Sequence, residues 1–250
     1  MLKFITTLTF FLFGLLAKGQ VSETRTVTDF SKIEVKHATV IYTESDYSSL
    51  TIESDYNDTS ETIKTEIDNG TLKISGTNEQ QNTVVYVSGK ATQFKAGRKA
   101  NIKVTNTISA ENVIIILNSG AEFIGNLIAQ NEVRINASKG TTFKGYLDTN
   151  LLTGNFNSNA QIIICGNAQK AVIAARHSVL CHARNFVAHS LEINADGKSE
   201  VRIFADKLVA INVGDEAKVT YNGHPLRVKL NTCATAFNKG KTDQTVSYNY

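Results

Sequence analysis

The stretch VGDEAKVTYNGH, Val213 to His224, decides the fold. It repeats a phrase already written in EINADGKSEVRIFADKLVAIN, Glu192 to Asn212: a small polar turn, an apolar pair one residue apart, then a small residue. Working back, the phrase recurs to about Phe94. A small or polar residue closes each strand at Asn106, Gly125, Gly145, Gly166, Ala183, Ala205 and Gly223, at spacings of 19, 20, 21, 17, 22 and 18. Two positions earlier stand Val104, Phe123, Phe143, Ile164, Cys181, Ile203 and Tyr221. Four earlier stand Ile102, Ala121, Thr141, Ile162, Val179, Val201 and Val219. The column between these two is mostly polar. Alternate side chains of a strand point to opposite faces, so each repeat holds a short strand with two residues in and one out. The seven residues from Val104 to Tyr221 are expected to form one interior file.

A second strand precedes each turn, with inward pairs such as Ile115/Leu117, Val133/Ile135, Ile173/Ala175 and Val209/Ile211. After it comes Asn118, Asn136, Asn157, Arg176, Asn194 or Asn212. This is the pattern of an asparagine ladder, whose amides bond from coil to coil when strands lie about 4.8 Å apart. Asn also tolerates the left-handed backbone of a tight corner. Such strands cannot bury their apolar columns alone, whereas stacked coils can. The expected fold is all-β, a parallel β-helix of about 20 residues per coil. An antiparallel sandwich is the rival, but it gives no reason for one column and one Asn corner to recur at coil spacing. The repeat exceeds the hexapeptide coil of left-handed β-helices and lacks its small-residue hexad. That points to a right-handed coil, although the sequence does not fix the hand.

The chain has 250 residues, 42 % of them hydrophobic, with no Trp and one Pro. MLKFITTLTFFLFGLLAKG, residues 1–19, reads as a secretory signal peptide: Lys3, an apolar run from Phe4 to Leu16, and a small-x-small end at Ala17-Lys18-Gly19. That run is too short for a bilayer span, and no later run is long enough. Removing the leader leaves 24 basic against 23 acidic residues, a balance of +1. A near-neutral surface does not suit nucleic acid. Residues 20–93 form an N-terminal β-rich region with period-2 alternation. Asn69-Gly70 marks a hairpin between Ile67 and Leu72, residues 58–66 have room for a helical turn or two, and Val84, Val85 and Val87 form a further strand. The coils occupy 94–226 and a tail 227–250.

Two places carry a family resemblance. Near the N-terminus the chain reads FSKIEVKHATVIYTE, then SLTIESD, then IKTEIDNGTLKIS; near the end of the coils it reads GDEAKVTYNGHP. With the repeats between, these resemble the bacterial "putative autotransporter adhesin head domain" family, also called the head GIN domain. The Gly-Ile-Asn-like tripeptide behind that name is replaced here by Ala38-Thr39-Val40, which puts any role of that loop in doubt. The resemblance implies an exported β-helical protein, common in Bacteroidetes-type bacteria. It carries over no catalytic residue set.

Some parallel β-helices are polysaccharide lyases or hydrolases, which gather carboxylates, basic residues or a cation on one outer face. The acids of the coils instead scatter, with local clusters only at Asp196/Glu200 and Asp215/Glu216 on late corners. These read as solvated turn acids, the alternative being a Ca²⁺ contact. Cys165 and His182 fall in one outward column, with His177 or His189 nearby. Two aligned ligands fall short of a metal site. Cys181 falls in an inward column and is expected in the core, so a Cys165–Cys181 disulfide is disfavoured. Cys233 lies beyond the repeats. The outward positions Ile124, Ile163, Leu180 and Phe204 are unusually apolar, so the tail is expected to cover them, the other option being a partner's contact face.

The expected function is an exported, non-enzymatic cell-envelope protein with an adhesin-like or scaffold role, in the periplasm or at the cell surface. Its expected ligand is a surface glycan or a protein, with no nucleic acid, no cofactor and no metal. A carbohydrate-active β-helix enzyme is the alternative, and a passive structural protein the third reading.

Overall fold

The computed structural model describes residues 21–55, 62–77 and 83–232, and the backbone of 236–238 and 244–246. The leader at 1–19 and Cys233 lie outside the described residues. The body consists of six long strands: β9 (Asn101–Asn118), β10 (Glu122–Ser138), β11 (Thr142–Asn157), β12 (Gln161–Arg176), β13 (Leu180–Ala195) and β14 (Glu200–Val213). Each pairs in parallel with its neighbours in the series. This is the expected parallel β-solenoid of about 20 residues per turn.

The chain turns from one coil to the next through paired left-handed residues. Arg98-Lys99, Ser119-Gly120, Lys139-Gly140, Ser158-Asn159 and His177-Ser178 all have positive φ. For a residue with a Cβ this costs roughly 1–2 kcal/mol. The stack offsets the cost, because corner N–H groups donate to the next corner's carbonyls: Lys99 N to Ser119 O, Gly120 N to Lys139 O and Gly140 N to Ser158 O, each at 2.9 Å. Just past each corner sits a buried and mostly small residue: Ala100, Ala121, Thr141, Ala160, Val179, Ser199 and Ala217. Counted here the coils span 21, 20, 19, 19, 20 and 18 residues.

Interior side chains stack in files. One runs Ile33, Phe94, Ile115, Ile135, Gly154, Ile173, Ile193, Ile211 and Leu230. Each fully buried Ile, Leu or Phe in such a file contributes roughly 1.5–3 kcal/mol. Phe123 and Phe143 stack with centroids 5.6 Å apart and planes within 3°. Tyr42 meets Phe94 edge-on at 5.0 Å. The buried Tyr42 hydroxyl donates to Gly89 O at 2.6 Å and accepts from Ala91 N at 2.8 Å. Burial pushes its pKa up to about 12.

The register corrects the expected file of seven. Phe123, Phe143 and Cys181 align with Ile102, Ile162, Val201 and Val219. Ile164 aligns with Gly145, and Ile203 with Ala183 and Tyr221. All seven residues are buried, but they do not form one file. The closing residue stands four positions past the buried corner residue at Gly125, Gly145 and Ala183 but six past it at Asn106, Gly166, Ala205 and Gly223. A slip of two residues preserves which face a side chain occupies, so alternation does not reveal it. The asparagine ladder shortens for the same reason. Asn155 Nδ2 donates to Asn136 Oδ1 at 3.0 Å and Asn212 Nδ2 to Asn194 Oδ1 at 2.6 Å. Ala174 interrupts the row between them. Asn118 and Asn157 sit at the corners, where their Oδ1 atoms accept from Ser119 Oγ and Ser158 Oγ, each at 3.1 Å.

The N-terminal strands are β1 (Val21–Arg25), β2 (Lys32–Lys36), β3 (Thr39–Glu44), β4 (Ser49–Ser54), β5 (Ile63–Asp68), β6 (Thr71–Gly76), β7 (Thr83–Gly89) and β8 (Gln93–Gly97). They join the same sheet. β2 lies between β6 and β8, and β3 between β7 and β9, all parallel. Stacking order therefore departs from chain order. β4 runs antiparallel to β7 and β1. The β5–β6 hairpin forms at Asn69-Gly70, both with φ > 0, as a type I′ turn requires, and β7 is the strand expected at Val84–Val87. Ile63–Glu66 is strand rather than the expected helical turn, because pairing to β6 supplies its backbone partners; residues 58–61 lie outside the described residues.

β15 (Lys218–Asn222) belongs to the last coil, and the tail adds β16 (Arg227–Thr232), β17 (Ala236–Asn238) and β18 (Gln244–Val246). β15 and β16 stack on β14, β17 stacks on β15, and β18 pairs antiparallel with β17. The described part of the tail thus extends the end of the stack, in place of the expected cover over the apolar outward residues. Ile163 stays 45 % exposed and Leu180 38 %. Backbone pairing with the last coil outweighs covering a flat face. Among the described residues no helix is long and apolar enough to cross a membrane.

Thr141 Oγ1 is buried with no hydrogen-bond partner, while Val179 fills the same file two coils on. Replacing Thr141 by Val should stabilise the protein by about 1–2 kcal/mol, read as a Tm gain of several degrees by calorimetry.

Candidate functional site

Between its two arms each coil bends near its closing residue, and at Gly125 and Gly145 the bend admits no side chain. A Cβ on Gly125 would lie 2.7 Å from Val104 Cγ2, and one on Gly145 only 2.1 Å from the Gly125 carbonyl oxygen. Residues on both sides of this bend line an open groove of about 580 Å³ crossing five coils. One wall is the register row Ile124, Lys144, Ile163 and His182. The other includes Asn126, then the register row Tyr146, Cys165 and Asn185.

The first-coil end of the groove is occupied by internal bonds. Asn106 Nδ2 donates to Glu44 O and its Oδ1 accepts from Glu44 N, both at 2.9 Å. Farther along, Tyr146 N donates to Asn126 Oδ1 at 3.3 Å. The Tyr146 ring is 37 % exposed. Lys144 Nζ donates to Glu122 Oε1 at 3.0 Å. His182 and Arg184 are exposed and make no ion pair among the described residues. Among the described residues no Asp or Glu lines the groove. Its surface thus combines apolar side chains, one aromatic face, amides and net positive charge.

The sequence placed Cys165 and His182 in one column. His182 instead lies beside Ile163 and Arg202, and Cys165 beside Tyr146 and Asn185. Both still line the groove. His177 Nδ1 sits 2.8 Å from Asn157 Oδ1 at a corner, and His189 Nδ1 sits 2.6 Å from Asp206 Oδ2 on the other arm. Among the described residues no group of three or more His, Cys, Asp or Glu converges as a metal site would. Cys165 and Cys181 are both free. Cys181 is in the core as expected, and desolvation pushes its thiol up to about 12. The apolar outward positions also divide: Ile124 and Ile163 belong to the groove, whereas Leu180 lies between Gln161 and Glu200, and Phe204 between Val187 and Asn222. Tyr146, Asn126 and Arg184 escaped the sequence reading. The signal that marks the first two is their place directly after a glycine of the bend.

The late acids are engaged with one another and with bases. Glu200 pairs with Arg202, and Glu216 Oε2 lies 3.8 Å from Lys198 Nζ. Asp196 and Asp215 share a hydrogen bond across consecutive corners. Gly197 N donates to Asp196 Oδ1 at 2.7 Å and, with the Asp215 bond, holds that carboxyl below the usual range. The bond to Asp196 and its charge hold the Asp215 carboxyl above that range. A second groove of about 930 Å³ beside β1 and β5 is lined by charges that are largely paired, among them Arg25 with Glu23 and Lys36 with Glu34, each at 2.7 Å.

Two outcomes test this account. Gly145→Ala should cost about 3 kcal/mol or more in a denaturant titration, because backbone oxygen cannot move aside. For Asp215 the raised folded value means that its contribution is present at acid pH and lost as pH rises past it. The Asp196 contribution has the opposite sign, present at neutral pH and lost on acidification. Asp215→Asn removes the neutral-pH repulsion but keeps a donor toward Asp196. Thermal melts should therefore show a higher Tm for the variant at pH 7, with the gain fading as the pH falls and Asp215 takes up its proton.

The fold and the groove can be set beside known proteins. A structure described as a putative adhesin from Parabacteroides merdae superposes with a TM-score of 0.78 at 18 % identity, covering 88 % of this chain and 94 % of that one. Another putative adhesin, from Parabacteroides distasonis, gives 0.77 at 18 % identity over 89 % and 95 %. A structure from the same species described as a putative lipid binding protein gives 0.61 at 16 % identity over 88 % and 94 %. At these identities the likeness shows the fold. No curated protein shows significant sequence similarity to this chain. The sequence itself supplies the closer tie: with residues 29–225 matching it, from just before β2 to just after β15, the chain belongs to the family described as "Putative auto-transporter adhesin, head GIN domain".

Proposed function

We propose that this protein is an exported binding protein of the cell envelope, adhesin-like and without catalysis, which holds a glycan or protein ligand along the groove at the coil bend. The observation that carries the reading is the make-up of that groove. It presents Ile124, Ile163 and Tyr146 beside side-chain amides and bases over five coils, with no carboxylate among its lining residues. An extended shallow site of this kind suits recognition of a repeating or elongated partner. Glycoside hydrolysis uses a pair of carboxylates flanking one bond, which this groove lacks. The family name and the leader at residues 1–19 support export, with the mature chain starting near Gln20 and residing in the periplasm or on the cell surface.

A glycan array combined with a polysaccharide-turnover screen tests this. Saturable binding without product release is expected, and Tyr146→Ala should weaken it about tenfold by removing the ring face. Turnover that a single Asp or Glu substitution abolishes would replace the binding reading with the carbohydrate-active enzyme.

A further inference from the structure

The charge of the groove narrows its ligand further, and the inference rests on the binding role proposed above. The basic residues stand on two coils, with Ile163 on the coil between them. Lys144 and His182 share one wall two coils apart, and Arg184 follows on the far side of the bend. Lys144 is half-committed, since its ammonium donates to Glu122 at 3.0 Å. Arg184 is exposed and makes no ion pair among the described residues, and the groove holds no acid that would compete for it. Arg134 pairs with Glu132 at 2.9 Å and Arg202 with Glu200. Arg98, Arg176 and Arg227 are exposed without an ion pair among the described residues, as Arg184 is, but none of those three lines this groove. An unmatched guanidinium in an acid-free groove is a vacant fork for a carboxylate or sulfate.

The rest of the groove selects among anions. The floor is a sheet face whose strands pair with the coils above and below except at the register shifts between Ile124/Asn126, Ile163/Cys165 and Ala183/Val187. A peptide strand would find no free edge there and would lay its own amides against a face that offers no ladder. A sugar chain needs no such ladder. Its hydroxyls can use the amides of Asn126 and Asn185, and an apolar ring face can lie on the half-exposed Tyr146. The groove also runs along the stacking axis, so its lining side chains follow one another at the coil spacing of about 4.8 Å. We propose that the groove binds an acidic polysaccharide, a chain of uronate-type sugars, with Arg184 holding a carboxylate and Tyr146 a ring face.

Direct binding measurements with three probes test this: polygalacturonate, the same galacturonan fully methyl-esterified, and polyglutamate. Polygalacturonate should bind saturably, and both other probes at least tenfold more weakly. Arg184→Gln should weaken polygalacturonate binding about tenfold or more and Arg184→Lys by less, because a point charge replaces only part of a fork. Both variants should keep the wild-type Tm, since Arg184 makes no ion pair to lose. Equal binding of the esterified chain, or indifference to Arg184→Gln, overturns the acidic ligand while leaving a neutral-glycan groove standing. Equal or tighter binding of polyglutamate overturns the carbohydrate. Failure of all three probes, alongside a neutral glycan whose binding Tyr146→Ala weakens, overturns this inference alone. Failure of every glycan overturns this inference and the glycan half of the proposed function, leaving a protein as the ligand of the groove.

Discussion

The structure depends on one constraint: each coil satisfies the backbone N–H and C=O groups of the next. In a parallel stack this pairing fixes the rise at about 4.8 Å per coil and leaves few buried polar groups unpaired. Once the rise is fixed, every side chain has a counterpart one coil above and one below. Like must therefore tolerate like. The interior files of Ile, Val and Phe, and the paired amides of Asn136 with Asn155 and Asn194 with Asn212, are two outcomes of that rule.

The same constraint explains the corners and the bend. Paired left-handed residues recur at five successive corners, although only some contain glycine. The strain persists because corner N–H groups bond from coil to coil, so relaxing one corner would break its neighbours' pairing. The bend is subject to a harder limit. Gly145 is there because backbone from the coil below occupies the space of its Cβ. A groove opens over that bend, and outward residues of both arms converge on it. Tight backbone packing thus produces an extended surface that combines apolar, aromatic and basic groups.

The periodicity exposed the architecture, and it did so through ordinary residues. The inward pairs Ile115/Leu117, Val133/Ile135 and Ile173/Ala175 read correctly from alternation alone and are buried as expected. The residues in front of Gly125 and Gly145 also read correctly, so Phe123 and Phe143 stack. Alignment failed at Val104, Ile164, Ile203 and Tyr221 because it took the closing residue as a fixed point on the coil. That point moves by two residues from some coils to others, and a slip of two keeps the face while changing the neighbour. Cys165 with His182 was a casualty of this slip, and so was the continuous asparagine ladder.

By itself, then, the sequence determined the all-β solenoid, its repeat of about 20 residues, the inward faces, the Asn69-Gly70 hairpin and the family. These are local: each follows from period-2 alternation or turn chemistry within one coil. Tertiary structure decided which coil neighbours which, placing β2 and β3 between strands that follow them in the chain. It decided that the tail extends the stack rather than covering Ile163. It also decided that Tyr146, Asn126 and Arg184 line one groove with Ile124 and Ile163. Those outcomes depend on register between segments far apart in the chain, and a pattern that looks the same in every coil carries no record of register.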